Sequence, residues 1–382
     1  MQKPNLQFLG LSFSIVIAAM GFQVAPSTVM GIIKELNFLN FTQTILLANA
    51  PAFMSVFVML PIGRFLNIKN PIRWSLPAGI LLASISALLL FMASYPFMLS
   101  LRFLGGLATA PAYIIGSQLP LVAFQPEQRN RFSSIQTLAA PIGTILVAQT
   151  GGLVASRFGH TLVYIVPLLF SLIAIIFAIR LWNTKFPETE SFTQKNSLFP
   201  SARTLLMAAV WALFSGTTAG AFINTSTEIG VSEGLGRTIA SLGPLFLMVP
   251  SFFISPWVGS MLDKKIKRRD ALIVAGLIMA LSILILPAGK PFWFVGSILL
   301  GLSASFIPPV VFSSPGKFEP QHNMAYALSI INLFGTIGLI ASTPLVGTMR
   351  DATQSWPATM IAVSVFCFAI SLTGLAFTKE QK

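Results

Sequence analysis

Charge is scarce in this 382-residue chain: Asp, Glu, Lys and Arg together make up 9% of it, against roughly 25% in a soluble domain. With 54% apolar residues and a mean hydropathy of +0.80, that shortage excludes an ordinary water-soluble globule. Cysteine is nearly absent. Cys367 stands alone, so no intrachain disulfide can form and redox compartment is unreadable; in the last apolar run it reads as a small inert residue. The only histidines, His160 and His322, fall in loops outside any His-Glu-x-x-His pattern, which removes the zinc-peptidase class. Gly-x-x-x-x-Gly-Lys-Ser/Thr is missing too, which disfavours a nucleotide-driven pump. No Asp, Glu or His lies well inside an apolar run, where proton-coupled carriers commonly keep the proton site. Glu228 comes nearest and reads as a solvated carboxylate at the end of run seven. Neither an enzyme nor a cofactor is expected.

What the chain does have is apolar runs. Twelve stretches of about 20 residues, each able to cross roughly 30 Å of hydrocarbon, run approximately 8–29, 42–66, 74–92, 97–122, 132–155, 162–182, 204–227, 238–262, 271–288, 292–313, 324–346 and 358–377. The expectation is an all-α integral membrane protein of twelve transmembrane helices, because a backbone in lipid must satisfy its polar groups internally. The 28 Gly and 25 Pro fit this picture, since membrane helices tolerate both where neighbours or cavities satisfy the backbone. The first run is longer than the apolar core of a signal peptide and ends at Gln23–Met30 without a small-residue cleavage site, so it reads as a retained helix.

Lys and Arg set the expected orientation. With the N-terminus inside, eighteen of the 24 basic residues fall in cytoplasmic segments, five (Lys34, Arg157, Arg237, Lys290 and Arg350) fall in outer loops, and Arg102 lies within a run. That bias predicts a multi-pass protein of the cytoplasmic membrane with both termini in the cytoplasm. It also accounts for the net charge of +13 without nucleic acid. The Lys264–Arg269 cluster reads as a topology anchor near anionic lipid heads.

The chain matches itself at an offset of about 195 residues. Gly106, in Leu-Gly-Gly-Leu-Ala, answers to Gly301 in Leu-Leu-Gly-Leu-Ser; Gly143 answers to Gly338, and Gly152 to Gly347. Pro61-Ile-Gly63-Arg-Phe-Leu-Asn67 answers to Pro256-Trp-Val-Gly259-Ser-Met-Leu-Asp263. The expected division is an N-terminal half over 1–182, a polar cytoplasmic linker over 183–203 and a C-terminal half over 204–382. Two parallel membrane halves that rock about a solute site at mid-membrane suit a carrier.

These motifs resemble those of the major facilitator superfamily of secondary transporters, over the whole chain. The resemblance implies that family's fold: two pseudo-symmetric bundles of six transmembrane helices. Its loop after the second helix of each half reads Gly-x-x-x-Asp-Arg/Lys followed by bases. The second copy keeps Gly259, Asp263, Lys264, Lys267, Arg268 and Arg269; the first keeps Gly63 but has Asn67 for the Asp and Ile68 for the base. The resemblance makes this a gate. An acidic residue here can sit at the N-terminus of a helix of the opposite half, where orphan N–H groups attract it, only while the cytoplasmic side is shut. A second mark is Arg102-Phe-Leu-Gly-Gly106. A third is Pro344-Leu-Val-Gly347-Thr-Met-Arg-Asp351 before Trp356, matched in the first half by Gly151-Gly-Leu-Val-Ala-Ser-Arg-Phe-Gly159-His. That last join is similar to the cyanate and nitroimidazole-type permeases, whose Arg before the helix-one Pro is absent from Met20–Pro26. The antiporter signature Gly-Pro-x-x-Gly-Gly survives only as Ala140-Pro141-Ile-Gly143-Thr, which weakens a drug-efflux reading.

Arg102 is the one charge well inside a run. It shares a helix face with Gly106, Thr109, Tyr113 and Ser117, at spacings of three and four. Either it binds a polar or anionic solute in a wet cavity, or it hydrogen-bonds backbone carbonyls of a neighbouring helix. Further cavity candidates are Gln23 in run one, Asn49 in run two, Gln136 in run five, and Trp211, Ser215, Thr218 and Asn224 in run seven. Ser305 in run ten and Asn332 and Thr336 in run eleven complete the set. Each is alternatively packing or interhelical glue, and the same choice holds for Trp211 and Phe306 as stacking residues. The expected partners are a small-molecule solute, leaning polar or anionic, with or without a coupling ion, and the bilayer; the chain is expected to be a monomer. Efflux of a drug or metabolite is the alternative within the class. A polytopic membrane enzyme or a receptor is the alternative outside it, and would have no need of two gates.

Overall fold

The computed structural model describes residues 6–68, 71–91, 94–124, 132, 135–184, 200–262, 267–319 and 323–376. Among these there is no strand, and twelve helical passes account for the apolar runs. In the first half they are α1 (Leu6–Thr28), α2 (Phe41–Ile68), α3 (Pro71–Phe91), α4 (Tyr95–Ala123), α5 (Ala139–Phe158) and α6, a 3₁₀ turn His160–Tyr164 leading into Ile165–Leu181. In the second half they are α7 (Ala202–Ser215, continued through Gly216–Ile223 to Asn224–Ser232), α8 (Gly243–Leu262), α9 (Arg268–Ile285), α10 (Lys290–Ala304 and Ile307–Ser313), α11 (Met324–Thr353) and α12 (Trp356–Ala376). Ten of the twelve are long and apolar enough to cross a membrane. The apolar part of α5 is short, Ala139–Thr150, and α9 opens on Arg268, Arg269 and Asp270. An even number of passes puts the start of α1 and the end of α12 on one face, here the terminal face; the opposite end is the far face.

Two features depart from the sequence reading. α2 runs on through Gly63 and Asn67 to Ile68, so the first copy of the gate motif is helical rather than a loop. The turn waits for Pro71, which suits the first position of a helix. The middle of α7, Gly216–Ile223, is a π-helix, a form found mostly as short bulges at functional sites. The linker is described only at its edges, since residues 185–199 lie outside the described part.

The prolines explain how the helices are tied together. A proline has no N–H for the carbonyl four residues before it, and lipid offers no substitute donor. Side chains of other helices supply it. The hydroxyl of Ser12 on α1 donates to the Gly116 carbonyl on α4 at 2.7 Å, the group left unbonded by Pro120. Ser255 on α8 donates to the Ser305 carbonyl at 3.0 Å, the group left by Pro309 at the break in α10.

The glycine repeat has a matching physical basis. A Cβ at Gly106 of α4 would fall on the Pro51 carbonyl oxygen of α2, and one at Gly301 of α10 on the Phe246 carbonyl oxygen of α8. Gly143 of α5 would meet the Ile17 carbonyl of α1 at 2.8 Å, and Gly338 of α11 the Ala212 carbonyl of α7. Equivalent glycines therefore bring equivalent helix pairs into backbone contact, the use of small residues that membrane packing favours. The turn α5–α6 places Gly159 at φ +106°, and the turn α11–α12 places its equivalent, Gln354, at φ +49°. One buried apolar cluster gathers α1–α6 and a second gathers α7–α12.

Candidate functional site

Arg102 is fully buried, and its guanidinium is spent on backbone. Nη1 donates to the Phe22 carbonyl at 2.6 Å, Nε to Leu47 at 2.8 Å, and Nη2 to Gln23 at 2.9 Å and to Ala48 at 2.7 Å. Phe22 lies four residues before Pro26, and Leu47 four before Pro51, so two of these carbonyls have no helical N–H. One planar fork therefore caps the proline breaks of both α1 and α2. The Phe22 ring lies beneath the guanidinium, 5.0 Å from centroid to Cζ. Arg102 does not line the cavity described below; of the two readings open in the sequence, the geometry is that of the backbone-bonding one.

Three other candidates also lie elsewhere. Thr109 is buried, with its hydroxyl 3.2 Å from that of Ser55 between α2 and α4. Asn49 is buried within α2. Asn224 sits toward the far face, where its Oδ1 accepts from Ser27 at 2.7 Å and its Nδ2 donates to Gly220. Polar type and spacing cannot tell such interhelical joints from ligand contacts. Of the gate residues, Gly63 and Asn67 lie on the last turns of α2 and Gly259 near the end of α8. Asp263 and Lys264 lie outside the described residues.

The remaining candidates converge. A cavity of about 210 Å³ lies between the halves, and Gln23, Tyr113, Gln136, Trp211, Ser215, Ser305, Asn332 and Thr336 all line it. Gln136 lies just before α5, beside the turn that closes Ile135 onto Leu138. Its walls come from α1, α2, α4 and the start of α5, and from α7, α8, α10 and α11; α3, α6, α9 and α12 stand outside. No charged side chain is among the described lining residues. Trp211 stacks on Phe214 at 5.0 Å and meets the edge of Phe312 at 4.7 Å. Gly335 is what lets α11 approach, since a Cβ there would fall on the Trp211 indole. Across the cavity the Tyr113 hydroxyl donates to Gln23 Oε1 at 2.8 Å. Phe306, the other stacking candidate, is not in the lining, whereas Phe312 is.

The sequence reading missed Thr137, Ser251, Ser255 and Phe312, yet three of them carried a signal. At the repeat offset Thr137 pairs with Asn332, Ser117 with Phe312, and Met59 with Ser255 at one residue more. Val16 and Trp211, Met20 and Ser215, Gln23 and Thr218, Tyr113 and Pro308, Ala140 and Gly335, and Pro141 and Thr336 are also equivalent, and every one of these residues lines the cavity. The cavity thus carries the twofold relation of the repeat.

Most of the polar lining residues lie from the middle of the helices toward the terminal face. Trp211 is in the first third of α7, Gln136 and Thr137 precede α5, and Phe312 is next to last in α10. Toward the far face the halves meet. Besides Ser27 and Asn224, the Thr42 hydroxyl at the start of α2 donates to Asp351 Oδ2 of α11 at 3.0 Å, and Gly31 abuts the guanidinium of Arg237. Glu228, on the last turns of α7, is 4.0 Å from Arg237.

Comparison with known proteins agrees with this architecture. Among solved structures the chain is similar to the E. coli fucose:proton symporter, with a TM-score of 0.72 at 16% identity, covering 99% of this chain and 100% of that one. At that identity the likeness speaks for the fold alone. No curated protein matches the chain. The family profile described as Major Facilitator Superfamily matches residues 11–264 and again 204–382. The chain therefore belongs to the Major Facilitator Superfamily, and is a membrane transporter rather than an enzyme.

Proposed function

We propose that the cavity between the halves is the solute site of a secondary carrier that works by alternating access, and that its solute is a small organic molecule without net negative charge. One observation carries this: a cavity with the twofold relation of the repeat and no charge among its described lining residues. The sequence leaned toward a polar or anionic solute because Arg102 was the one cation available to a cavity. With its N–H groups already on four carbonyls, that reason is gone, and an uncharged solute fits better. The amphipathic wall brings efflux of a drug-like metabolite closer than the sequence alone did. With no carboxylate or imidazole among the described lining residues, a coupling proton would be held outside them.

In this reading the halves over 1–182 and 204–382 rock about the cavity, and the linker 183–203 and both termini face the cytoplasm, as the basic-residue bias requires. The terminal face is then cytoplasmic and the arrangement is inward-facing, with the Ser27–Asn224 and Thr42–Asp351 contacts closing the outside. The carrier acts as a monomer in the cytoplasmic membrane. The test is cysteine accessibility in a Cys367→Ser background. Ser215→Cys should react with a membrane-impermeant maleimide in inverted vesicles and much more slowly in whole cells, and Lys290→Cys should show the opposite. Equal labelling of Ser215→Cys from both sides, or from neither, would refute the reading.

A further inference from the structure

The two halves line the cavity at equivalent positions with unlike chemistry. Val16 faces its counterpart Trp211, and Ser117 its counterpart Phe312, so the large rings stand in the C-terminal half, joined by Phe214. The N-terminal half instead brings Gln23 and Tyr113 together.

The hydrogen-bonding capacity divides the same way. In the C-terminal half several hydroxyl donors are used internally, while the Trp211 indole N–H and the Ser215 hydroxyl stay on the cavity wall as donors. Thr218 donates to the Phe214 carbonyl at 2.8 Å, Ser305 to Gly301 at 2.6 Å, Thr336 to Asn332 at 2.9 Å, and Ser255 to Ser305 at 3.0 Å. Asn332 spends an Nδ2 hydrogen on the Leu328 carbonyl at 2.9 Å, which leaves its Oδ1 on the other branch of the amide. What these bonded groups keep for a solute is oxygen lone pairs and the second Asn332 Nδ2 hydrogen. In the N-terminal half Gln23 Oε1 accepts from Tyr113, which leaves the Gln23 Nε2 hydrogens as donors.

Resting on the reading that this cavity is the solute site, we infer that it takes an uncharged amphiphile with two ends. A planar ring lies against Trp211 and Phe312, and a group that both donates and accepts, of the carboxamide class, spans Gln23 and the polar groups of the C-terminal wall. A carboxylate finds no cation among the described lining residues to neutralise it. An ammonium has no lone pair for Gln23 and no carboxylate to pair with. Burial of either charge goes uncompensated, whereas a neutral amide leaves neither wall unpaired.

The test uses full-length protein in nanodiscs carrying Cys367→Ser and Ser215→Cys, and reads protection from maleimide labelling. The probes are indole-3-acetamide, indole-3-acetate, tryptamine and cyclohexylacetamide. Indole-3-acetamide should protect at about tenfold lower concentration than any of the other three. Trp211→Leu should erase the preference for indole over cyclohexyl and keep that for amide over acid, with Trp211→Phe retaining both. Gln23→Leu should erase the preference for amide over acid and keep that for the ring. Labelling that no probe slows, or that the acid or the amine slows at equal or lower concentration, overturns the inference while leaving the cavity reading standing. Failure of Ser215→Cys to label at all overturns both.

Discussion

Arg102→Leu removes one side chain and leaves four carbonyls. Two of them, on Phe22 and Leu47, have no helical donor because of Pro26 and Pro51. An unsatisfied buried polar group costs about 1–3 kcal/mol, so these two alone should destabilise the first half by roughly 2–6 kcal/mol. The carbonyls of Gln23 and Ala48 keep the N–H groups of Ser27 and Ala52 as alternatives and should add less. Arg102→Lys keeps a charge but offers three hydrogens from one nitrogen instead of a fork, and should lie between. The assay is SDS titration of purified protein in mixed micelles, read against wild type. The discriminating step is rescue. Pro26→Ala and Pro51→Ala each restore a backbone N–H, so adding both to Arg102→Leu should recover a large part of the loss. Arg102→Leu as stable as wild type, or no recovery with both prolines replaced, would refute the account. A solute-binding arginine predicts instead normal stability with lost transport, and no effect of the prolines on that loss.

Four further outcomes follow from named contacts. Gly338→Ala puts a Cβ on the Ala212 carbonyl and should cost about 1–3 kcal/mol, lowering the thermal transition more than Gly347→Ala, whose Cβ meets only Thr42 at 3.3 Å; equal effects would refute close α7–α11 packing. Gln354→Gly should raise stability by about 1 kcal/mol in the same titration, since a non-glycine residue at φ +49° is strained; a loss would show that the Gln354 contact to the Asp351 carbonyl outweighs the strain. Replacing Ser27 and Asp351 together by Ala removes two bonds between the halves at the far face, each worth about 0.5–1.5 kcal/mol, and should shift the resting population roughly tenfold toward opening there; spin-label distances between positions 34 and 235 should lengthen, and an unchanged distribution would sink the latch. Uptake or release of a bound probe should be flat across the range where carboxylates and histidine titrate, because no such group is among the described lining residues; a sigmoidal profile in proteoliposomes at fixed membrane potential would require a proton site outside them.

The helices were legible because lipid leaves so few alternatives. A run of twenty apolar residues must be helical to satisfy its backbone, and even Pro71 ending the α2–α3 turn follows from elementary stereochemistry. The π-helix over Gly216–Ile223 was not legible. Gly-Thr-Thr-Ala-Gly-Ala is small and polar enough to be helical in more than one way, and close approach to α11 selects among them. Arg102 shows the limit most clearly. Its helix face, with Thr109 and Tyr113, reads as a wet stripe, yet the upper part of that stripe is dry. Pro26 and Pro51 were both visible in the sequence as sources of unbonded carbonyls. What was not visible is that both carbonyls come within reach of the same guanidinium on a third helix, which is a fact of packing.

The repeat offset was used for glycines and gate motifs, where identity survives between the copies. It holds equally at cavity positions, where identity does not. Ser117 and Phe312, or Val16 and Trp211, share no chemistry, so a search for similar residues passes over them. Packing glycines are constrained by backbone contact within each half, and that contact is the same in both. On the function proposed for the cavity, its residues meet a solute without twofold symmetry of its own, so equivalent positions have reason to diverge. The physical signature of a solute wall in a duplicated membrane chain is therefore position kept and chemistry changed. Thr137, Ser255 and Phe312 follow from that rule once the helices of one half are placed. Ser251 does not, since its counterpart on α2 lies outside the lining, and it marks where the two walls differ in shape as well as in chemistry.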